Sequence, residues 1–170
     1  FAGDIQVRGT TFIKANSNTN NIAIGTNAGL TLQGTNTVAI GTDASRLSQN
    51  NYAVAMGFQA GYKAQAAYSV AIGRFAGCNA QGLSTIAIGD LAASTSQNGY
   101  AIAMGYRAGK SAQYEKGIAI GSQAAEFAQN SYSVAIGYVA GQTGQGTQAV
   151  AIGKFAGYNA QGVNSVAVGY

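Results

Sequence analysis

The residues that could do chemistry are few in this chain and badly placed for it. Histidine is absent, which removes the commonest general base and a frequent metal ligand. Five acids are present: Asp4, Asp43, Asp90, Glu115 and Glu126. Cleaving a glycosidic bond needs two carboxylates flanking one bond. Asp43 and Asp90 occupy neighbouring columns of the repeat set out below, but three coils apart, about 14 Å at the usual strand spacing, too far to pair. Cys78 is the one cysteine, so no intrachain disulfide forms; other repeats carry Tyr, Lys or Ser in its place, and it reads as incidental. Neither the Gly-Gly-x-Gly-x-Asp phrase of calcium-binding solenoids nor a phosphate-cradling Gly-x-Gly-x-x-Gly occurs. These residues predict no enzyme, no cofactor and no metal site.

Charge narrows the partners further. Nine Lys/Arg against five Asp/Glu give a net +4, with only 8% of residues charged. Arg74, Arg107, Lys110 and Lys154 are scattered among the acids, with no basic run to track phosphates, so nucleic acid is not an expected partner. No stretch of ~18 apolar residues occurs, so this segment is not expected to insert into a membrane as a helix. The chain is 47% hydrophobic and lacks proline, which suits a folded body of hydrogen-bonded strands.

What positions these residues is a repeat. A β-branched residue, Ala, an aliphatic residue and Gly recur ten times, from Ile22-Ala23-Ile24-Gly25 to Val166-Ala167-Val168-Gly169, always 16 residues apart. An unbroken period of this length predicts a solenoid. Counting from each closing Gly, column +3 is Ala in every complete repeat (Ala28, Ala44, Ala60 and onward). Column +4 is small, and column +8 is Gln: Gln33, Gln49, Gln65, Gln81, Gln97, Gln113, Gln129, Gln145 and Gln161. Residues 41–89 resemble 121–169, five coils later, which points to growth by duplication. Residues 1–21 precede the grid and read as a capping segment with short strands near Ile5–Arg8 and Thr10–Ile13 and a polar turn over Asn16–Asn21. Residues 22–170 form the repeat domain. Phe1 is not a natural start, and Tyr170 is one residue into a new repeat, so the sequence reads as a stretch of a longer fibre.

The expected fold is all-β: a parallel β-solenoid of 16-residue coils, each with roughly two strands of ~5 residues and two turns. Val70 and Ile72 share one strand face and Ala71 and Gly73 the other. The Val/Ile pair is placed inside the coil, leaving the Ala/Gly face for close approach of another chain. A thin coil and a chain nearly half apolar predict three identical chains side by side. Charges within the repeats occur only at +1, +2, +5, +6, +10 and +11, which predicts turns or an exposed strand face there.

Aromatics share those columns: Tyr52, Tyr68, Tyr100 and Tyr132 at +11, and Phe58, Tyr106, Tyr138 and Tyr170 at +1. They read either as packing or as exposed rows for a protein or glycan, where Tyr is enriched. The Gln column reads as an axial amide ladder, as in cross-β stacks, with a ligand-binding row as the alternative. Ice binding needs a flat threonine rank. Column +12 (Thr37, Ala53, Ser69, Thr85, Ala101, Gly117) is too mixed, and that reading is remote.

Ser69-Val70-Ala71-Ile72-Gly73, Tyr132-Ser133-Val134-Ala135-Ile136-Gly137 and Asn164-Ser165-Val166-Ala167-Val168-Gly169 resemble the YadA-like head repeat of trimeric autotransporter adhesins. The resemblance covers about residues 20–170. It implies a left-handed parallel β-roll, a homotrimer, and binding to host matrix or cell surfaces. Two departures are present. The period is uniformly 16, and the second half reads Ala76-Gly77 with Gln81-Gly82, a variant also similar to repeats in fibre proteins of phages and large DNA viruses. The functional expectation is a non-enzymatic fibre domain on a cell surface (outer membrane) or virion surface, serving attachment to a host-surface protein or glycan. The alternative is a passive shaft or virion structural component with no receptor.

Overall fold

The computed structural model describes residues 5–7, 10–16 and 20–170. Asp4 and residues 17–19 of the expected polar turn lie outside them, as does Arg8. The described residues are all-β without a helix. In chain order the strands are β1 (Ile5–Val7), β2 (Thr10–Asn16), β3 (Asn21–Ile24), β4 (Val38–Ile40), β5 (Val54–Met56), β6 (Val70–Ile72), β7 (Ile86–Ile88) and β8 (Ile102–Met104). They continue as β9 (Ser111–Gln113), β10 (Ile118–Ile120), β11 (Phe127–Gln129), β12 (Val134–Ile136), β13 (Thr143–Gln145), β14 (Val150–Ile152) and β15 (Val166–Val168).

Twelve of these strands form one long sheet. From β3 onward each Val-Ala-Ile segment pairs in parallel with the one 16 residues later, Val on Val and Ala on Ala. β1 and β2 run antiparallel across the free edge of the first coil, with Ile13 opposite Ile24. The opposite wall is a row of parallel bridges between successive Gln residues. It regularises into the three-stranded sheet β9–β11–β13 in the second half.

The coil differs from expectation in being mostly turn. The grid strands hold three or four residues, not five, and the turns account for it. In every coil the residues at +2, +4 and +11 have left-handed backbone, as at Gln59 (φ 52), Gly61 (φ 56) and Tyr68 (φ 59). Alternating handedness swings successive peptide groups toward the solenoid axis. Turn N–H groups therefore donate to neighbouring coils in both directions: Gln59 to Thr42 O at 3.0 Å, Gly61 to Ala76 O at 2.9 Å, Tyr68 to Asn51 O at 3.1 Å. This axial bonding satisfies the turn backbone without long strands. It also holds residues such as Tyr, Phe and Leu in a region costing non-glycine residues about 1–3 kcal/mol.

The closing Gly is required sterically. At Gly73, φ is +127, and an added Cβ would lie 2.6 Å from Gly89 O in the next coil. The same contact recurs at Gly41, Gly57 and Gly89.

The orientation of the strands corrects the expectation drawn from the sequence. Ala39, Ala55, Ala71, Ala87 and Ala103 are fully buried inside the coil and, with the +3 alanines, make up its core. The Val/Ile columns face outward, half-buried to exposed. The reason is width. An Ala-lined coil brings its walls so close that a Cβ on Gly77 would sit 3.3 Å from the Ala71 methyl. That space admits methyl groups and one extended Gln per coil, not ranks of Val and Ile.

Candidate functional site

Because +12 and +14 point inward, +13 and +15 point out, and the aromatic columns +11 and +1 flank them. One coil thus presents Tyr52, Val54, Met56 and Phe58 in a row; another presents Tyr132, Val134, Ile136 and Tyr138. Met56, Met104, Ile120, Ile136 and Ile152 are 36–40% exposed. The result is a continuous apolar face on one side of the solenoid, with nothing of this chain covering it. Monomeric proteins seldom leave such a face in water.

The predicted aromatic rows are only partly assembled. Tyr52 and Tyr68 stack, with centroids 5.2 Å apart and planes 8° from parallel. Ser84 then interrupts the column. Tyr100 and Tyr132 are held apart by Lys116, whose Nζ lies 5.9 Å and 4.9 Å from their ring centroids and donates to Tyr132 Oη at 3.3 Å. Hydrogen bonds to Glu115 and Tyr132 push the Lys116 ammonium pKa up, keeping it charged. Phe58, Tyr106 and Tyr138 do not stack on one another. Phe58 meets Phe75 edge-on at 5.3 Å, and Tyr138 meets Phe155 at 5.5 Å. Arg107 lies 5.2 Å from the Tyr106 ring and Lys154 5.1 Å from Tyr170. Phe75 and Phe155, in column +2, join this edge and were not singled out from the sequence. The signal was their adjacency to the +1 aromatics.

The four described acids are each paired with a base, not with one another. Asp90 meets Arg74 at 2.8 Å, Glu115 meets Lys116 at 3.1 Å, Glu126 meets Arg107 at 3.4 Å and Asp43 meets Arg46 at 3.7 Å. Glu126, in a column expected to be a turn or an exposed strand face, lies outside the strands but is not exposed. It is buried, with the amides of Gln123 and Gln142 donating to its Oε2 at 3.1 and 3.0 Å. Among the described residues no three His, Cys, Asp or Glu gather as a metal site would need. Cys78 is buried, and burial pushes its thiol pKa up, the opposite of what an activated nucleophile needs.

The Gln column lies inside the coil. The two Nε2 hydrogens of Gln97 serve three acceptors, one hydrogen being shared: Ile86 O at 3.0 Å, Ala101 O at 3.1 Å and Gln113 Oε1 at 3.0 Å, and its own Oε1 accepts from Gln81 at 3.3 Å. Each amide therefore ties the outer wall to the inner strand and to the next amide. The chain of amides runs from Gln33 to Gln65 and from Gln81 to Gln161. It breaks between Gln65 and Gln81, where Ser45 Oγ donates to Gln65 Oε1 and Gln81 Oε1 is buried without a partner.

Two stretches, residues 48–76 and 145–170, match the family model of the YadA head domain repeat. Each contains two of the Val-Ala-x-Gly phrases whose strands form the apolar face. No curated protein and no solved structure matches the chain.

Proposed function

We propose that this solenoid, which carries head repeats similar to those of YadA, is a non-enzymatic rod segment of an extracellular trimeric fibre, serving attachment or its projection from a surface. The observation that carries the reading is the uncovered apolar face. Its two edges differ: +11 on one side, +1 and +2 on the other. Three chains around one axis would bring the three Val/Ile faces together, with the +11 tyrosines at the rim of the contact. Burying Val and Ile there supplies hydrophobic stabilisation that the Ala core of each coil lacks, at roughly 25 cal/mol per Å².

Stacking repeats each exposed feature along the rod, and three chains multiply it. Many equal weak contacts then gain strength through multivalency instead of one tight site. A passive spacer is the second reading. It is favoured by the plainness of the outer wall, where columns +7 and +9 hold Ala, Ser, Gly and Asn nearly throughout.

Light scattering on the purified chain is expected to read a trimer, and a stable monomer would refute the assembly. The immobilised trimer is then compared on cells, matrix proteins and glycans with a variant carrying Tyr52, Tyr68, Tyr100 and Tyr132 changed to Ser. A parent that binds nothing leaves the spacer; turnover of a substrate overturns both readings.

A further inference from the structure

The plain outer wall is broken at two places, by Leu32 in column +7 of the first coil and by Tyr114 in column +9. Column +9 holds Gly, Asn or Ala in every coil but one, where it holds Tyr114. Column +10 loses its side chain at Gly99, one coil earlier. Together they open a groove of about 380 Å³ lined by Asn98, Gly99, Tyr100, Tyr114, Glu115 and Ser131, within the size range of small-ligand sites. Gly99 is not there for its backbone: it is not in the left-handed region, and the nearest atom to an added Cβ is Leu83 O, at an ordinary 3.5 Å. The notch is open because the side chain is missing. Tyr100 and Tyr114 border it half-exposed, and Tyr114 stands on the outer wall, away from the Val/Ile face.

The charges at the rim decide the class of ligand. Glu115 and Lys116 form an ion pair at 3.1 Å, and Lys116 already occupies the cation-attracting faces of Tyr100 and Tyr132. An incoming cation would meet Lys116, and an anion would meet Glu115. A neutral ring with an apolar C–H face and several hydroxyls meets neither obstacle. Its face can lie on a tyrosine, and its hydroxyls can reach the Asn98 amide, the Glu115 carboxylate and the Ser131 hydroxyl. We propose that the Tyr100–Tyr114 groove is a binding site for a neutral pyranose unit of a glycan. The proposal rests on the attachment reading and assigns that role one site per chain.

Binding is tested on the intact oligomer by amide chemical-shift mapping, with the methyl glycosides of galactose, glucose, mannose and N-acetylglucosamine, and with lactose. Choline and galacturonate serve as cationic and anionic controls. At least one neutral sugar is expected to shift Gly99, Tyr100 and Tyr114, with Kd on the order of 1 mM. Gly99→Leu copies Leu83 of the preceding coil, and Tyr114→Asn copies Asn98 and Asn130, so both should fold. Each is expected to weaken binding about tenfold or more. The proposal is overturned if no neutral sugar perturbs these residues, if the charged controls bind as well, or if both variants bind like the parent. Cell attachment is scored separately with the same two variants. Attachment that persists without sugar binding removes only the groove, whereas loss of all attachment by the parent removes the broader role.

Discussion

At the scale of single residues, the glycines of two columns do different work. Gly73 and Gly77 both have positive φ, but the obstacles differ. At Gly73 the obstacle is the backbone of the next coil; at Gly77 it is the tip of the Gln81 side chain, 2.9 Å from an added Cβ. Ala93 and Ala125 already occupy the Gly77 column at φ 47. Gly77→Ala should therefore cost about 1–2 kcal/mol, and Gly73→Ala more than about 3 kcal/mol. Thermal melts of the two variants check this; equal losses would sink the distinction. The Gln column yields a second expectation. Gln97→Leu leaves the buried Gln113 Oε1 without a donor and removes the side-chain bonds that tie the Ile86 and Ala101 carbonyls to the opposite wall. Each buried group left unpaired costs about 1–3 kcal/mol, so the melting temperature should fall clearly. An unchanged melt with loss of a binding partner would instead favour a ligand row.

At the scale of the strand, neighbouring residues serve different surfaces. Ala71 is inside the coil, whereas Ile72 lies on the apolar face. Ala71→Glu buries a carboxylate among alanine methyls, and a loss on the order of 5 kcal/mol is expected. The circular-dichroism β signal should drop at every protein concentration. Ile72→Glu, made together with Met104→Glu and Ile136→Glu, should leave coil structure in place and shift the oligomer toward monomer by light scattering. If the Ala71 variant stays folded and only dissociates, the strands are facing the other way.

At the scale of the whole molecule, the coil is the unit of stability. Backbone bonds join each coil to the ones before and after it, so stability approximates a sum over coils and their junctions. Deleting residues 74–89 removes one full period and restores every column to register. The shortened chain should fold with a modestly lower melting temperature. Deleting only residues 74–81 offsets every later column by half a period, placing side chains of one wall where the other belongs. That chain should lose its β signal. Equal tolerance of both deletions would contradict in-register stacking.

The 16-residue period by itself determined parallel, in-register stacking and the one-dimensional architecture, and the composition by itself determined the shortage of catalytic groups, because these follow from spacing and residue types alone. It did not determine which way the strands face. Val70-Ala71-Ile72-Gly73 alternates equally well in either orientation, and the choice depends on the width of the coil. That width is fixed by left-handed turns at residues such as Gln59 and Tyr68, whose types carry no sign of that conformation. The buried position of Glu126 and the groove at Gly99 and Tyr114 were hidden for a related reason. Glu126 and Gly99 stand in columns that vary from coil to coil and Tyr114 departs from its column, and only stacking shows what lies beside each.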